Sequence, residues 1–166
     1  MSFAEWFLPE LDHEMRTTRS LLERVPFDNP AWRPHTKSTE LGELASHLTN
    51  LAGYGARVAN EPEINFAPPG GPPASPKRYG DRSDLLAAFD ANAAKSRAAI
   101  AALPEQALGA PWSLKFGDRV IFTQPRGLVL RTFFMNHIIH HRGQLSVYLR
   151  LNDVPLPPIY GPTADT

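Results

Sequence analysis

The chain has 166 residues, 42% of them apolar, with 17 basic and 17 acidic side chains and no net formal charge. That length supports a domain with a real core, and the charge balance excludes electrostatic attraction to nucleic acid or an anionic membrane. Cysteine is absent, which excludes disulfides, zinc–thiolate sites and a cysteine nucleophile.

Residues 1–166 read as a single domain. The opening Met1-Ser-Phe-Ala-Glu-Trp lacks the basic then apolar order of a signal peptide. No apolar run is long enough to span a bilayer. The expectation is a soluble cytoplasmic protein with no nucleic-acid or membrane partner.

The first helix is expected from about Ser2 to Arg24. Phe7, Leu11, Met15, Thr18, Leu22 and Val25 form one stripe at helical spacing, and Pro26 stops it. Asn29-Pro30 and Arg33-Pro34 mark a loop. The second helix is expected from about Thr39 to Asn60. Ser38 or Thr39 serves as N-cap, and Leu41, Leu44, Ala45, Leu48 and Ala52 form the apolar stripe. Between Pro62 and Gly80 stand six prolines and three glycines. This composition predicts a long irregular connection, of the kind that often forms a lid or binding loop.

The third helix is expected over about Asp81–Leu103, with Leu85, Phe89, Asn92, Ser96, Ala99 and Leu103 on one face and Pro104 at its end. Trp112 to Phe122, turning at Gly117-Asp118, reads as a short hairpin or extended excursion. The fourth and longest helix runs from near Pro125 to about Asn152. Leu130, Phe133, His137, His141, Gln144, Tyr148 and Leu151 share a face, and Ile138, Leu145 and Leu149 widen the apolar surface. The tail, with Pro155, Pro157, Pro158 and Pro162, orders only if it docks. Four helices without a sustained strand pattern predict an all-α protein, a four-helix bundle with long connecting loops.

His137 and His141 stand four residues apart, which stacks both imidazoles on one helix face, about 5–6 Å apart at Cβ. Converging neutral imidazoles suit a divalent metal such as zinc or nickel. His140, three residues after His137, is an alternative to His141 that spacing alone does not eliminate. His47, beside Leu44, Leu51 and Tyr54, is the best candidate for a third ligand. His13 falls opposite its helix stripe, and His35 follows Pro34 in a loop. Taken singly, each histidine is as well explained by a hydrogen-bonded ring at the core edge.

The segment His137-Ile-Ile-His-His-Arg-Gly-Gln144, then Tyr148-Leu-Arg and the ending Pro157-Pro-Ile-Tyr-Gly-Pro162, resembles the DinB (damage-inducible) family of the DinB/YfiT-like superfamily. Leu41-Gly-Glu-Leu-Ala-Ser-His47 resembles its other signature, and Thr17–Arg24 and Trp32–Ser38 also fit. The resemblance implies a four-helix bundle with one histidine from the second helix and an HxxxH pair from the fourth. Carried over position by position, it selects His47, His137 and His141 and leaves His140 outside. It also implies a homodimer, which accounts for the wide apolar flank of the fourth helix.

Three histidines leave at least one coordination position open, as catalytic zinc sites do. The resemblance implies a metal-dependent transferase that uses a low-molecular-weight thiol such as bacillithiol, mycothiol or glutathione. Metal-activated hydrolysis is the alternative, with Glu43 the one carboxylate near His47, although a solvated helix-start charge explains Glu43 more simply. A non-enzymatic metal-binding or stress-response role is the third reading. Gln144 and Tyr148 are candidates to hold the ligand rings, or simply satisfied polar groups. Arg142 points away from the ligand face and reads as a surface or dimer contact. Trp6, Trp32 and Trp112 read as core or loop anchors.

Overall fold

Helix α1 (Phe3–Leu22) starts on a reciprocal cap: Ser2 Oγ accepts from the Glu5 amide and the Glu5 carboxylate accepts from the Ser2 amide. All six residues of its expected stripe are buried. The computed structural model describes residues 2–72 and 74–166. Met1 of the opening stretch and Pro73 of the proline-rich connection lie outside the described residues.

The second expected helix is two helices, α2 (Leu41–Leu51) and α3 (Tyr54–Asn60). Its N-cap is Glu40, with no side-chain cap, rather than Ser38 or Thr39. The break at Ala52-Gly53 frees backbone groups, and Ser96 satisfies two of them. Its Oγ donates to the Ala52 carbonyl at 2.5 Å and accepts from the Ala56 amide at 3.1 Å. A backbone pair left bare here would cost about 1–3 kcal/mol per group. Asn92 Nδ2 donates to the Thr49 carbonyl at 2.9 Å. Both Ser96 and Asn92 come from α4 (Arg82–Ala101), which packs against α1, α2 and α3.

The proline-rich connection holds a short strand, β1 (Glu63–Asn65). It pairs in parallel with β2 (Pro111–Phe116), and β2 pairs antiparallel with β3 (Arg119–Pro125). The turn between β2 and β3 uses Gly117 at φ +61°, a conformation that favours glycine. Asn65 clamps that turn, accepting from the Gly117 amide at 3.0 Å and donating to its carbonyl at 2.9 Å. The expectation of an all-α four-helix bundle is therefore corrected. The protein is 54% helical and carries a three-stranded mixed sheet, which makes it mixed α/β. Ile64, Trp112 and Leu114 are the buried residues of β1 and β2, and they join the sheet to the helical core.

The last helical stretch is continuous but not uniform. After α5 (Arg126–Val129) come six residues in π conformation (Leu130–Met135), then α6 (Asn136–Leu151). The π segment changes the angular register of everything after it. Tyr148 stays on the inward stripe as expected, whereas Leu151, in the last turn of α6, is 56% exposed. α6 packs against α2 on one side and α1 on another. Ile138, Leu145 and Leu149 are fully covered within the chain, so this flank needs no second copy to hide it.

Arg142 corrects the sequence reading as well. It is 2% exposed, paired with the buried Glu14 of α1. Tyr160 from the tail joins them, accepting from Arg142 and donating to Glu14 at 3.0 Å. The tail thus docks through Tyr160. The side of α6 opposite the histidines faces α1 rather than solvent, and that is why a cation there is buried and paired. No helix among the described residues is long and apolar enough to cross a membrane.

Candidate metal centre

α2 presents His47 from a helix whose Leu44, Leu48 and Leu51 are locked in the core. α6 presents His137 and His141 from its first two turns, immediately after the π segment. Such π turns recur at functional sites, where they re-aim side chains. The packing of α2 on α6 brings the three rings together. Ring centroids lie 5.3 Å apart for His47 and His137, 4.5 Å for His47 and His141, and 4.7 Å for His137 and His141. One nitrogen from each ring lies within 4.8 Å of the others.

The rings are held in the protonation state that a metal requires. Burial, then the neighbouring His141 and His137, lowers the His47 pKa to about 4. Burial, then His141 and His140, lowers that of His137 to about 4. His141 is also lowered, chiefly by burial. At neutral pH all three are neutral, each with a lone pair. Gln144 Oε1 lies 2.7 Å from His141 Nδ1. An amide oxygen only accepts, so the His141 proton sits on Nδ1 and Nε2 carries the lone pair. His137 Nδ1 is buried with no hydrogen-bond partner among the described residues.

The other expected residues fall as follows. His140 is exposed, its ring 4.9 Å from that of His141, and it stands outside the three-residue group. His13 is exposed and stacks on Tyr160. His35 is exposed, its Nδ1 accepting from the Lys37 amide. Glu43 accepts from Arg78 at 2.8 Å. Tyr148 is buried, and its hydroxyl donates to the Thr39 carbonyl at 3.1 Å rather than to a ligand ring. Trp112 is buried, Trp32 half-buried against Tyr148, and Trp6 largely exposed.

Two cavities meet at His47. The smaller, about 220 Å³, is lined by His141, Glu43, Ser46, Lys77 and Arg78 among others. The larger, about 630 Å³, lies between α3, α4 and the connection. Asn50 and Pro76 line both. The proline-rich connection is strapped down between them: Asn50 Nδ2 donates to the Lys77 carbonyl at 2.7 Å, and Ser46 Oγ accepts from the Tyr79 amide at 3.0 Å. Asn50, Ser46, Tyr54 and Lys95 all line these cavities and were missed from sequence. A polar residue beside a ligand helix carries no signal of what a distant loop will bring to it.

The donor set fits a divalent cation of borderline softness. It offers three neutral imidazoles, one with its tautomer set by Gln144 and one with an unpaired buried nitrogen. In sequence, residues 10–145 match the profile of the DinB superfamily. Among solved structures, a DinB-like protein from Bacillus subtilis is similar over 94% of this chain and 98% of its own, with a TM-score of 0.68 at 20% identity. A DinB-like protein from Bacillus cereus is similar over 94% and 97%, with the same TM-score at 18% identity. No curated protein matches the chain.

Proposed function

We propose a function from this premise: the chain belongs to the DinB superfamily, and its three-histidine group holds a divalent metal, zinc or nickel, at which a low-molecular-weight thiol is transferred to an electrophile. The observation that carries the reading is the meeting of two cavities at His47, one ring of a cluster whose ring nitrogens lie within 4.8 Å of one another. A two-substrate reaction needs both partners held at the reacting centre, and two cavities that share one ligand ring give each partner a place. A sensor or structural site needs neither.

His47, His137 and His141 would hold the metal. When bound, a divalent cation with three neutral ligands supplies Lewis acidity that makes a nearby thiol or water more acidic. The chain's own contribution is positional. Burial keeps the rings neutral, Gln144 fixes the His141 ring, and the strapped connection lines both cavities. In the transfer, the thiol proton passes to solvent. A sulfur–carbon bond forms, and the bond from that carbon to its leaving group breaks. No side-chain nucleophile of this protein enters.

The test is thiol consumption by a model electrophile, with metal-loaded protein and each of bacillithiol, mycothiol and glutathione. A rate above the metal-free control supports the reading; none with all three thiols overturns it. Metal-dependent hydrolysis is the second reading, favoured by one observation: Glu43 lines the same small cavity as His47 and His141. Its ion pair with Arg78 competes with a role as general base. A Glu43→Gln variant with unchanged hydrolytic activity removes Glu43 as the base, and no metal-dependent hydrolysis by the wild type removes the reading.

A further inference from the structure

The larger cavity has a chemistry of its own. Its volume, about 630 Å³, falls within the roughly 300–1,000 Å³ typical of sites for drug-sized molecules. Three aromatic rings line it. Tyr54 and Phe66 lie with centroids 6.2 Å apart, and Phe116 stands at the tip of the hairpin. Phe116 is 57% exposed. A ring left this open at a cavity mouth gains most by covering an apolar ligand.

The charges on the lining have one sign. Arg57 and Lys95 belong to it, and no carboxylate does among the described residues. Arg57 is already engaged by Glu61 at 2.9 Å. Lys95 makes no ion pair among the described residues, and α4 places it on the cavity wall beside Asn92. His47 closes the inner end. The path continues through aromatic neighbours, Tyr54 to Phe133 at 6.1 Å and Phe133 to His137 at 5.7 Å.

We propose that this cleft binds an aromatic acid: its ring system lies against Tyr54, Phe66 and Phe116, its anionic group is met by Lys95, and its other end points to His47. The identification of this acid as the electrophilic substrate rests on the thiol-transfer reading; the binding itself does not.

The probes are 2-naphthoate, its neutral analogue 2-naphthylmethanol and its cationic analogue 2-naphthylmethylamine. Their binding to the metal-free full chain is followed by calorimetry and naphthalene fluorescence. Working without metal removes direct ligation as a source of anion preference. 2-Naphthoate is expected to bind about two- to fivefold tighter than the alcohol, and the amine weakest, as an exposed cation on the wall with no ion pair among the described residues dictates. Lys95→Gln should bring the acid down to the affinity of the alcohol and leave the alcohol unchanged. Phe66→Ala should weaken both alike. Equal binding of acid and alcohol, an acid preference that survives Lys95→Gln, or no binding of any probe overturns the proposal. If 2-naphthoate binds as expected while no thiol is consumed, the cleft assignment stands and the transferase reading falls. If thiol is consumed and 2-naphthoate does not bind, the reverse holds.

Discussion

Protons and metal compete for the same three lone pairs, so acidity reads the state of the cluster. With an ordinary pKa of 6.5, each ring would lose about tenfold of its neutral form between about pH 7.5 and about pH 5.5, and three rings about 1,000-fold. Here His47 and His137 are lowered to about 4, so both stay neutral across that range. His141 is lowered in the same direction, chiefly by burial, so one ring at most is left to contribute. Zinc affinity is therefore expected to fall by less than about tenfold over this interval. The sign for stability follows from the same shift. Below pH 6.5 the unfolded chain takes up protons that the folded rings refuse until about 4. The metal-free protein should lose stability as pH falls through that window and none from these rings above it. The assay is chelator competition at the two pH values, corrected for the chelator's own protonation. A loss near 1,000-fold would refute the argument, because it would mean the rings titrate as if free in water.

Three further outcomes follow from named contacts. Arg142→Met strands the buried Glu14 carboxylate and should cost about 3–5 kcal/mol in urea unfolding, most of it recovered with Glu14→Gln added; a loss under about 1 kcal/mol would contradict the buried pairing. Gln144→Ala frees the His141 ring and should weaken zinc binding about 10–100-fold with the melting temperature of metal-free protein unchanged; equal affinity would show that Gln144 holds nothing. A Cβ at Gly55 would meet Phe134 at 2.7 Å and Ser96 at 2.9 Å, so Gly55→Ala should cost about 1–3 kcal/mol, and a neutral result would mean that α3 sits farther from the π segment and α4.

The helical stripes were legible because burial on one face repeats every turn. The stripe residues from Phe7 to Leu22 on α1, with Val25 just beyond it, and from Leu41 to Leu48 on α2, with its cap Ala52, are all buried as their spacing implied. The histidines came together for the same reason, each at the edge of an apolar stripe. What stayed hidden depends on partners outside the local window. Three residues at Glu63–Asn65 cannot show a strand period, and β1 exists because β2 pairs with it. The break in the second helix at Ala52-Gly53 was not read from sequence, because Ser96 and Asn92, some forty residues away, make it tolerable. The π segment keeps helical dihedrals at its ends, so no residue announces it. Arg142 was placed on the correct side of its helix, yet a helical wheel does not say that α1 lies there.

The central claim is that His47, His137 and His141 form one metal site. Elemental analysis of untagged protein, beside His47→Ala and His137→Ala variants that remain folded by circular dichroism, tests it most directly. The account predicts about one divalent metal per chain in the wild type and its loss in both variants. A wild type that holds no metal after reloading with zinc and with nickel, or variants that keep it, would contradict the account and leave the three rings as core-edge histidines.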